Sequence, residues 1–362
     1  MKKKWLHIFL TASLLLAALP MGAASAETAY YTEKDLGGIR CTILSDPAKT
    51  SYVNRMMKYH ILSEKDNYRV ARNLKNGDSV VFFFDGCSDL VNHPTYSDYT
   101  KYRLSAYCAV VQEVDGKPVV VYESEKCSTI PDNPRNPATN EGTPVPTVRD
   151  GVYNIISTNH GGSYAALRIQ DNSGSVPVVR CTGERSYVST SSAINIHARS
   201  QFSAAPTDGI TPSSYSSAGC FNVGFASDGY QDYNAFIKAV LNVSNGRHTK
   251  CNTGVDHGVV IVDRTNYRTQ LEAIYGGDGE HTAAEVVSAL TEYTDKLPDA
   301  PYFYGDVNGD GKTDPVDYLV LTRHTEGAKT LADDQVQRGD LNGDGKTDSA
   351  DCALLKKDLC DK

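Results

Sequence analysis

The sequence predicts a mainly β domain followed by a small all-α module. Between residues 78 and 265, short runs rich in Val, Ile, Phe and Tyr alternate with clusters of Gly, Pro, Asn and Asp, the pattern of strands joined by turns. Near the C-terminus, an acidic loop followed by a helical segment occurs twice. A length of 362 residues also suggests two or three domains rather than one.

Residues 1–26 have the features of a secretory signal peptide. Three lysines are followed by an apolar run and by the small residues Ala24-Ser25-Ala26, so we expect cleavage before Glu27. No later stretch approaches the roughly 20 apolar residues that span a bilayer. The sequence therefore predicts a secreted, extracellular protein without a membrane span.

Charge and aromatic content argue against some classes of partner. The chain has 36 basic and 44 acidic side chains, and loss of the three signal lysines leaves 33 against 44, a net charge of −11. This excess of acid argues against nucleic acid or an anionic membrane as the main partner. The single tryptophan, Trp5, lies in the signal, which weakens the case for a carbohydrate-binding cleft.

The elements of the β domain follow from local patterns. Residues 27–103 are predicted to be a lead-in region of unknown function, with helical spacing in SYVNRMMKYHILSEKDNYRVARNL and a strand in DSVVFFFDG. Within the domain predicted at 104–275, Asp115-Gly116 indicates a hairpin, and a long proline-rich loop follows. Further strands are predicted in DGVYNIIS, YAALRIQD, SVPVVRCTG, AINIHARS and DHGVVIVDR, with a helix in DYNAFIKAVLNV. Residues 276–303 are predicted to form a helix and a linker.

The two C-terminal repeats have the spacing of calcium-binding loops. They read DVNGDGKTDPVD at 306–317 and DLNGDGKTDSAD at 340–351, each with glycine at position 6. Calcium prefers six to eight oxygen ligands from a loop that turns sharply at this glycine. With the lysine contributing its backbone carbonyl, the predicted ligands are Asp306, Asn308, Asp310, Lys312, Asp314 and Asp317, and Asp340, Asn342, Asp344, Lys346, Asp348 and Asp351. An acidic turn without metal is the alternative.

The loop-helix repeats lack the entering helix and the final glutamate of an ordinary EF-hand. They resemble a type I dockerin over about residues 304–360, within a domain predicted at 304–362. The resemblance implies two calcium ions and, as partner, a cohesin module of a scaffoldin, in a cellulosome or at the cell surface. It also implies that the cohesin is recognised by Pro315, Val316 and Arg323, or by Ser349, Ala350 and Lys357.

A cysteine within the small-residue stretch SSAGCFNVG is the main candidate for chemistry in the β domain. A cysteine nucleophile needs a base, a group that orients the base and donors for the oxyanion. His197 ends an apolar strand upstream of Cys220. Gly219 permits a tight turn that would leave the N–H groups of Gly219 and Cys220 free for the oxyanion. His257 is a competing base, and His93, His160 and His248 are expected in polar loops without a chemical role.

The order of these parts resembles the L,D-transpeptidase catalytic domain over about residues 104–265. A hairpin, the turn in GTPVPTVRDGVYNI, a strand ending in INIH and the motif SSAGCFN follow in that family's order. The resemblance implies a mainly β fold and a substrate from the peptide stems of peptidoglycan. It implies Cys220 as nucleophile, His197 as base, Ala198 as the residue whose carbonyl orients the imidazole, and Ser217, Gly219 and Asn222 as further motif residues.

Two features depart from that family's pattern. Ala218 stands where most members have a second histidine, which puts the rate or the substrate in doubt. The interval from His197 to Cys220 is longer than usual, which mainly puts the substrate in doubt.

Nine cysteines in an exported protein favour disulfides, and the odd number leaves at least one thiol unpaired. Cys220 is the candidate for that thiol, and the other pairings cannot be deduced. A disulfide from Cys220 to Cys181 or Cys251, an inert buried thiol and a noncatalytic relative of the family stay open.

The predicted function is that of a secreted, dockerin-bearing cysteine transpeptidase or peptidase acting on peptidoglycan peptides or related substrates. Two alternatives belong to other classes. One is a plant-polysaccharide hydrolase of the cellulosome, and the other is a noncatalytic dockerin-bearing adaptor.

Overall fold

The structure is a computed structural model that describes residues 30–63, 68–92, 106–130, 146–181, 186–199, 217, 219–264, 288–290, 305–308, 313–341 and 346–360. The predicted signal peptide, most of the proline-rich loop and most of segment 276–303 lie outside these residues. The described strands are β1 Ser79–Asp85, β2 Ala106–Val114, β3 Lys117–Ser128, β4 Pro146–Val148, β5 Gly151–His160, β6 Tyr164–Gln170, β7 Val176–Cys181, β8 Ser186–Ser191, β9 Asn195–Arg199, β10 Phe221–Phe225 and β11 Asp256–Asp263. The described helices are α1 Pro47–Leu62, α2 Arg69–Lys75, α3 Gln231–Leu241, α4 Pro315–Thr325, α5 Asp333–Gly339 and α6 Ser349–Cys360.

Eight of these strands form a closed barrel in the order β1-β11-β5-β6-β9-β10-β3-β2. The pairs β1–β11 and β9–β10 are parallel. The strands β4, β7 and β8 form a separate three-stranded sheet. The prediction of a mainly β domain is therefore confirmed.

Alternating side chains along the barrel strands form two apolar cores. Val81 and Phe83 face the interior, where they pack with residues of the other barrel strands and of α3. Val80, Phe82 and Phe84 face outward and pack against α1, α2 and the N-terminal chain. Burial on both faces explains why β1 is apolar along nearly its whole length.

The predicted boundary at residue 104 falls inside the barrel. β1 belongs to the predicted lead-in region 27–103, yet it pairs with both β11 and β2. The strand was visible as an apolar run, but its two partners lie downstream in the chain. A local pattern does not identify such partners.

The predicted hairpin at Asp115-Gly116 is confirmed. Both residues have positive φ, 51° and 78°, which is the conformation that joins β2 to β3 in a two-residue turn. Local sequence patterns predicted none of β4, β8 and β10, and β4 lies at the end of the predicted proline-rich loop. All three are short, and β8 is rich in serine.

A charged cluster is buried where β1 and β11 end. Arg264 and Asp85 form an ion pair, and neither side chain is exposed. The guanidinium Nη2 donates to Val148 O at 2.7 Å, and Nε lies 3.9 Å from Asp150 Oδ1. Burial raises the pKa of Asp85 and raises that of Asp150 further. The cluster is part of the core.

The C-terminal module has its own small core and contacts the N-terminal region. Leu321, Leu341 and Leu355 pack together in that core. Ser51 Oγ on α1 donates to the carbonyl oxygen of Leu341. Lys58 Nζ, also on α1, lies 3.9 Å from Asp340 Oδ2. None of the helices described combines the length and apolar character that a membrane span requires.

Candidate functional site

Neighbouring groups hold the turn that carries Cys220. Ser217 Oγ donates to the Cys220 carbonyl oxygen at 2.5 Å and accepts the Gly219 N–H at 3.1 Å. Gly219 has a φ of 133°, and a Cβ added there would lie 2.7 Å from Pro146 Cγ. A side chain is therefore excluded both by conformation and by space. The tight turn predicted at Gly219 is present and places Cys220 directly before β10.

The parallel strands β9 and β10 bring the predicted catalytic residues to one face of the barrel wall. Asn222 lies opposite His197, and Phe221 lies opposite Ile196. Because side chains alternate along a strand, Ile196 and Phe221 point into the barrel core, and His197 and Asn222 share the other face. Cys220 is two residues before Asn222 and lies at the edge of that same face.

His197 is oriented as a base. Its side chain is buried, with 3% exposed, and Nδ1 lies 2.8 Å from Ala198 O, the contact that the resemblance implied. When Nδ1–H donates to this carbonyl, Nε2 carries the lone pair that can accept a proton. Burial, with the neighbouring His160 as the second cause, lowers the pKa of His197 to about 3. The imidazole is therefore neutral near pH 7.

The Cys220 thiol is half-buried and bonded to β9. Its Sγ accepts the Asn195 N–H at 3.4 Å and lies 4.0 Å from Ala193 O. Burial raises the pKa of Cys220, whereas the Asn195 N–H and the charge of Arg168 act in the opposite direction. Within the described part of the chain, no hydrogen bond joins Cys220 to His197. The structure thus brings the pair to one face without joining the two groups.

Asn222 contacts the imidazole of His197, and the backbone N–H of Gly219 is already used in the turn. Asn222 Nδ2 lies 3.4 Å from each ring nitrogen of His197. The Gly219 N–H, which we expected to be free for an oxyanion, donates to Ser217 Oγ instead. That part of the prediction is wrong, because the hydroxyl that closes the turn uses the donor. The N–H of Cys220 is the remaining candidate for this role.

His160 is a second histidine in the site that the sequence patterns did not predict there. It is the last residue of β5, and its ring stacks on His197 with 3.9 Å between centroids. Its Nδ1 lies 3.4 Å from Asn195 Nδ2, and burial lowers the pKa of His160. The prediction of a loop position is wrong for this residue, because it lies in β5 against His197. The signal was the following Gly161-Gly162, whose φ values of 54° and 70° mark a hairpin.

A cavity of about 740 Å³ lies beside β5 and β6. Its lining includes Thr158, Arg168, Gln170 and Lys250. Arg168 lies opposite Asn195 in the pairing of β6 with β9, and Asn195 is the residue whose N–H contacts the Cys220 thiol. Through Arg168, the cavity therefore lies next to the part of β9 that contacts Cys220.

The disulfides expected from the cysteine count are not found among the described cysteines. None of the eight cysteines whose side chains are described, Cys220 and Cys251 among them, forms a disulfide, and the Cys181 side chain is not described. The Cys251 Sγ lies 3.1 Å from Thr158 O. Cys108 and Cys127 lie in the barrel core, where a thiol packs as a small apolar group.

The two predicted calcium loops close in the same way. In the first, the carboxylate of Asp317 accepts the N–H groups of Asn308 and Asp314, each at 2.9 Å. In the second, the carboxylate of Asp351 accepts two backbone N–H groups, each at 2.8 Å. The residue at position 12 thus ties each loop to the start of the following helix.

The chemistry of the loop residues suits a hard cation. Asp306 and Asp317 are buried, and burial raises the pKa of Asp317, with the charges of Asp306 and Asp314 as further causes. Carboxylate and carbonyl oxygens are the ligands of calcium. The described part of the chain alone has no group of three acidic, histidine or cysteine side chains placed to hold a metal. Four predicted ligands, Asp310, Lys312, Asn342 and Asp344, lie outside the described residues.

Comparison with known protein families identifies the C-terminal region. The model of the dockerin type I domain matches residues 304–360. This region is a type I dockerin domain. No curated protein and no solved structure matches the chain. The resemblance of the barrel to L,D-transpeptidases therefore stays a prediction.

All six residues predicted to recognise a cohesin are exposed on the dockerin helices. Val316 is 52% exposed, and Leu319, one turn further along α4, is 49% exposed. These two apolar side chains lie on the surface beside Pro315 and Arg323. On α6, the corresponding exposed residues are the smaller Ser349 and Ala350, followed by Lys357. The two helices therefore present different surfaces to a partner.

Proposed function

We propose that this protein is a secreted cysteine acyl-transfer enzyme, similar to L,D-transpeptidases, which acts on peptidoglycan stem peptides or related peptides. The type I dockerin implies cellulosome-type binding to a cohesin, and type I dockerins bind calcium. In this chain two ions, one in each loop, would order the domain, because metal binding and folding of such loops are coupled. The enzyme would thereby be attached to a scaffoldin.

The arrangement of Cys220 and His197 carries the enzymatic part of the proposal. The two residues lie at one face of paired strands, and the Ala198 carbonyl orients the imidazole so that Nε2 carries the lone pair that accepts a proton. In the structure Asn222 Nδ2 lies 3.4 Å from Nε2, so the proton transfer requires this amide to give way to the thiol. The close packing of Pro146 on Gly219 adds support. It joins the GTPVPT segment to the cysteine turn, two parts of the predicted family pattern.

The reaction begins with proton transfer from the Cys220 thiol to Nε2 of His197. The thiol must first leave the Asn195 N–H and turn toward the imidazole, a side-chain rotation that does not require bound substrate. The thiolate then forms a bond to a peptide carbonyl carbon, and the N–H of Cys220 stabilises the oxyanion. The C–N bond breaks, and the departing amine takes the proton from His197. An amine or water then attacks the thioester and releases the thiol.

A noncatalytic adaptor is the second candidate, and one observation favours it. Burial raises the pKa of Cys220, and its thiol is bonded to the Asn195 backbone rather than to His197. A thiol held in this way is mostly protonated near pH 7 and is a poor nucleophile. The adaptor would keep the barrel as a binding module on the scaffoldin.

Alkylation of the folded protein by iodoacetamide from pH 5 to 9, followed site by site by mass spectrometry, separates the two candidates. Cys360 is exposed and serves as an ordinary thiol for comparison. The enzyme predicts that Cys220 reacts faster than Cys360 below pH 7, and that His197→Ala removes this advantage. If Cys220 reacts more slowly than Cys360 at every pH, the enzyme proposal is wrong and the adaptor is favoured.

A further inference from the structure

The cavity beside β5 and β6 has a charge opposite to that of the protein. The whole chain carries a formal net charge of −8. The cavity lining nevertheless contains two cationic side chains, Arg168 and Lys250, and no aspartate or glutamate. The remaining lining residues include hydrogen-bonding groups such as Thr158 and Gln170. A cationic cavity in an acidic protein attracts small anions.

The Arg168 side chain is placed to bind something in this cavity. Its Nε is buried and has no hydrogen-bond partner in the structure. Among the described residues, no carboxylate forms an ion pair with Arg168. A guanidinium offers a fork of donors that matches a carboxylate in two parallel hydrogen bonds. A carboxylate on a ligand would supply the missing partner.

The cavity is also within reach of the proposed nucleophile. Arg168 on β6 pairs with Asn195 on β9, and the Asn195 N–H contacts Cys220 Sγ. The charge of Arg168 is close enough to oppose the rise in the pKa of Cys220. A ligand held by Arg168 therefore has its neighbouring atoms close to the thiol.

We propose that this cavity selects an acyl donor that carries a free carboxylate, which Arg168 binds directly and Lys250 attracts from the rim. This inference rests on the proposed function and names the chemical class of its substrate. Peptides with a free carboxylate near the reacting carbonyl bind, and their amidated counterparts bind weakly.

Two alkylating reagents that differ only in charge test the proposal at the thiol. The thiolate displaces iodide from either iodoacetate or iodoacetamide, forming the S–C bond as the C–I bond breaks. Relative to Cys360, Cys220 prefers the anionic iodoacetate, by about tenfold if the cavity concentrates anions as charged clefts do. The preference is lost in Arg168→Gln, retained in Arg168→Lys and unchanged in Lys238→Gln, which removes an exposed cation of α3. Equal preferences in the native protein and Arg168→Gln would overturn the inference.

A direct binding measurement covers the case in which Cys220 does not react. Calorimetric titration of Cys220→Ala compares a short N-acetyl peptide with a free C-terminal carboxylate and the same peptide as its C-terminal amide. We expect at least about tenfold tighter binding of the carboxylate, as for a charge-assisted bidentate contact, and loss of the difference in Arg168→Gln. Equal binding of the two peptides refutes the inference while leaving the acyl-transfer proposal intact. An unreactive Cys220 with selective carboxylate binding refutes the acyl-transfer proposal alone.

Discussion

Substituting Gly219 with alanine tests whether the cysteine turn depends on close backbone packing. The φ of 133° at this residue is one that side chains rarely adopt, and such strain costs on the order of 1–3 kcal/mol. The new Cβ would lie 2.7 Å from Pro146 Cγ and 2.9 Å from Pro146 O. Because the second of these atoms is backbone, the contact can be relieved only by moving β4 or the turn, which costs about 1–3 kcal/mol more.

Gly219→Ala should therefore lower the free energy of unfolding of the barrel by about 2–6 kcal/mol. Gly161→Ala is the matched control, because Gly161 also has positive φ, at 54°, but no atom lies within 4 Å of its added Cβ. The control variant should lose only about 1–2 kcal/mol of stability, which is the cost of holding an alanine in a left-handed backbone conformation. Urea denaturation followed by far-UV circular dichroism measures both.

The same variants report on the position of the thiol. In Gly219→Ala the turn shifts relative to β9, so the contact between Asn195 N–H and Cys220 Sγ is disturbed and the alkylation rate of Cys220 changes. In Gly161→Ala this contact is unaffected and the rate is that of the native protein. If the two variants lose equal stability to within about 0.5 kcal/mol, the packing of Pro146 on Gly219 does not constrain the turn.

Three further predictions concern calcium, pH and the buried charges. Excess chelator should unfold the dockerin at 304–360 and abolish cohesin binding while the barrel persists; cohesin binding that survives in chelator contradicts this. His197 has a folded pKa of about 3, below its ordinary value of about 6.5, so the unfolded chain takes up a proton first as the pH falls. This residue should therefore cost the barrel about 1.4 kcal/mol per pH unit below about pH 6.5, and the stability difference between the native protein and His197→Gln should change accordingly. Arg264→Met should destabilise the barrel by about 3–5 kcal/mol by leaving Asp85 buried without its partner, whereas the exposed control Arg323→Met should change it by less than about 0.5 kcal/mol. A loss below about 1 kcal/mol for Arg264→Met would show that the ion pair is not needed.

The barrel was only partly readable from local sequence, and the reasons are physical. The hairpin at Asp115-Gly116 was predictable because both residues favour the positive φ that the turn requires. β10 was missed because it is five residues long and contains Gly224. That glycine has a φ of 68°, and a Cβ there would lie 2.9 Å from the backbone nitrogen of Tyr233. The glycine thus allows α3 to pack against the strand, which no strand propensity reflects.

The cysteine count was misleading about covalent structure. An exported chain with nine cysteines favours disulfides, yet none of the eight cysteines whose side chains the structure describes forms one. Cys108 and Cys127 are fully buried in the barrel core. Cys108 follows the alternation of β2, whereas Cys127 reaches the core only because the pairing of β2 with β3 shifts register next to it. The burial of Cys108 could therefore be predicted from its strand, but that of Cys127 and the pairing state of either could not.

In the candidate site, residue type pointed to His197 and Cys220, and the family resemblance added Ala198, Ser217, Gly219 and Asn222, whereas His160 was not predicted. His197 and Cys220 stood out by residue type, and their strands proved to be paired in parallel with Asn222 opposite His197. Parallel pairing leaves no short turn in the sequence, so the register between β9 and β10 was not readable. His160 ends β5, and it meets His197 because β6 pairs with both β5 and β9 in the barrel, which no local pattern indicates.

The contrast between the two domains explains why one is identified and the other is proposed. In each dockerin loop, the predicted ligands lie within twelve consecutive residues, so the sequence alone carries the chemistry and a family model can match it. In the barrel, the site is assembled from β5, β6, β9 and β10, and each strand contributes one or two side chains. Sequence similarity can fall while such an assembly keeps its geometry, since the contacts depend on strand register rather than on adjacent residues. The reactivity of the Cys220 thiol is therefore the property that tests the proposed function of the barrel. Faster alkylation of Cys220 than of an ordinary thiol below pH 7, dependent on His197, is a property that a packed core cysteine does not have.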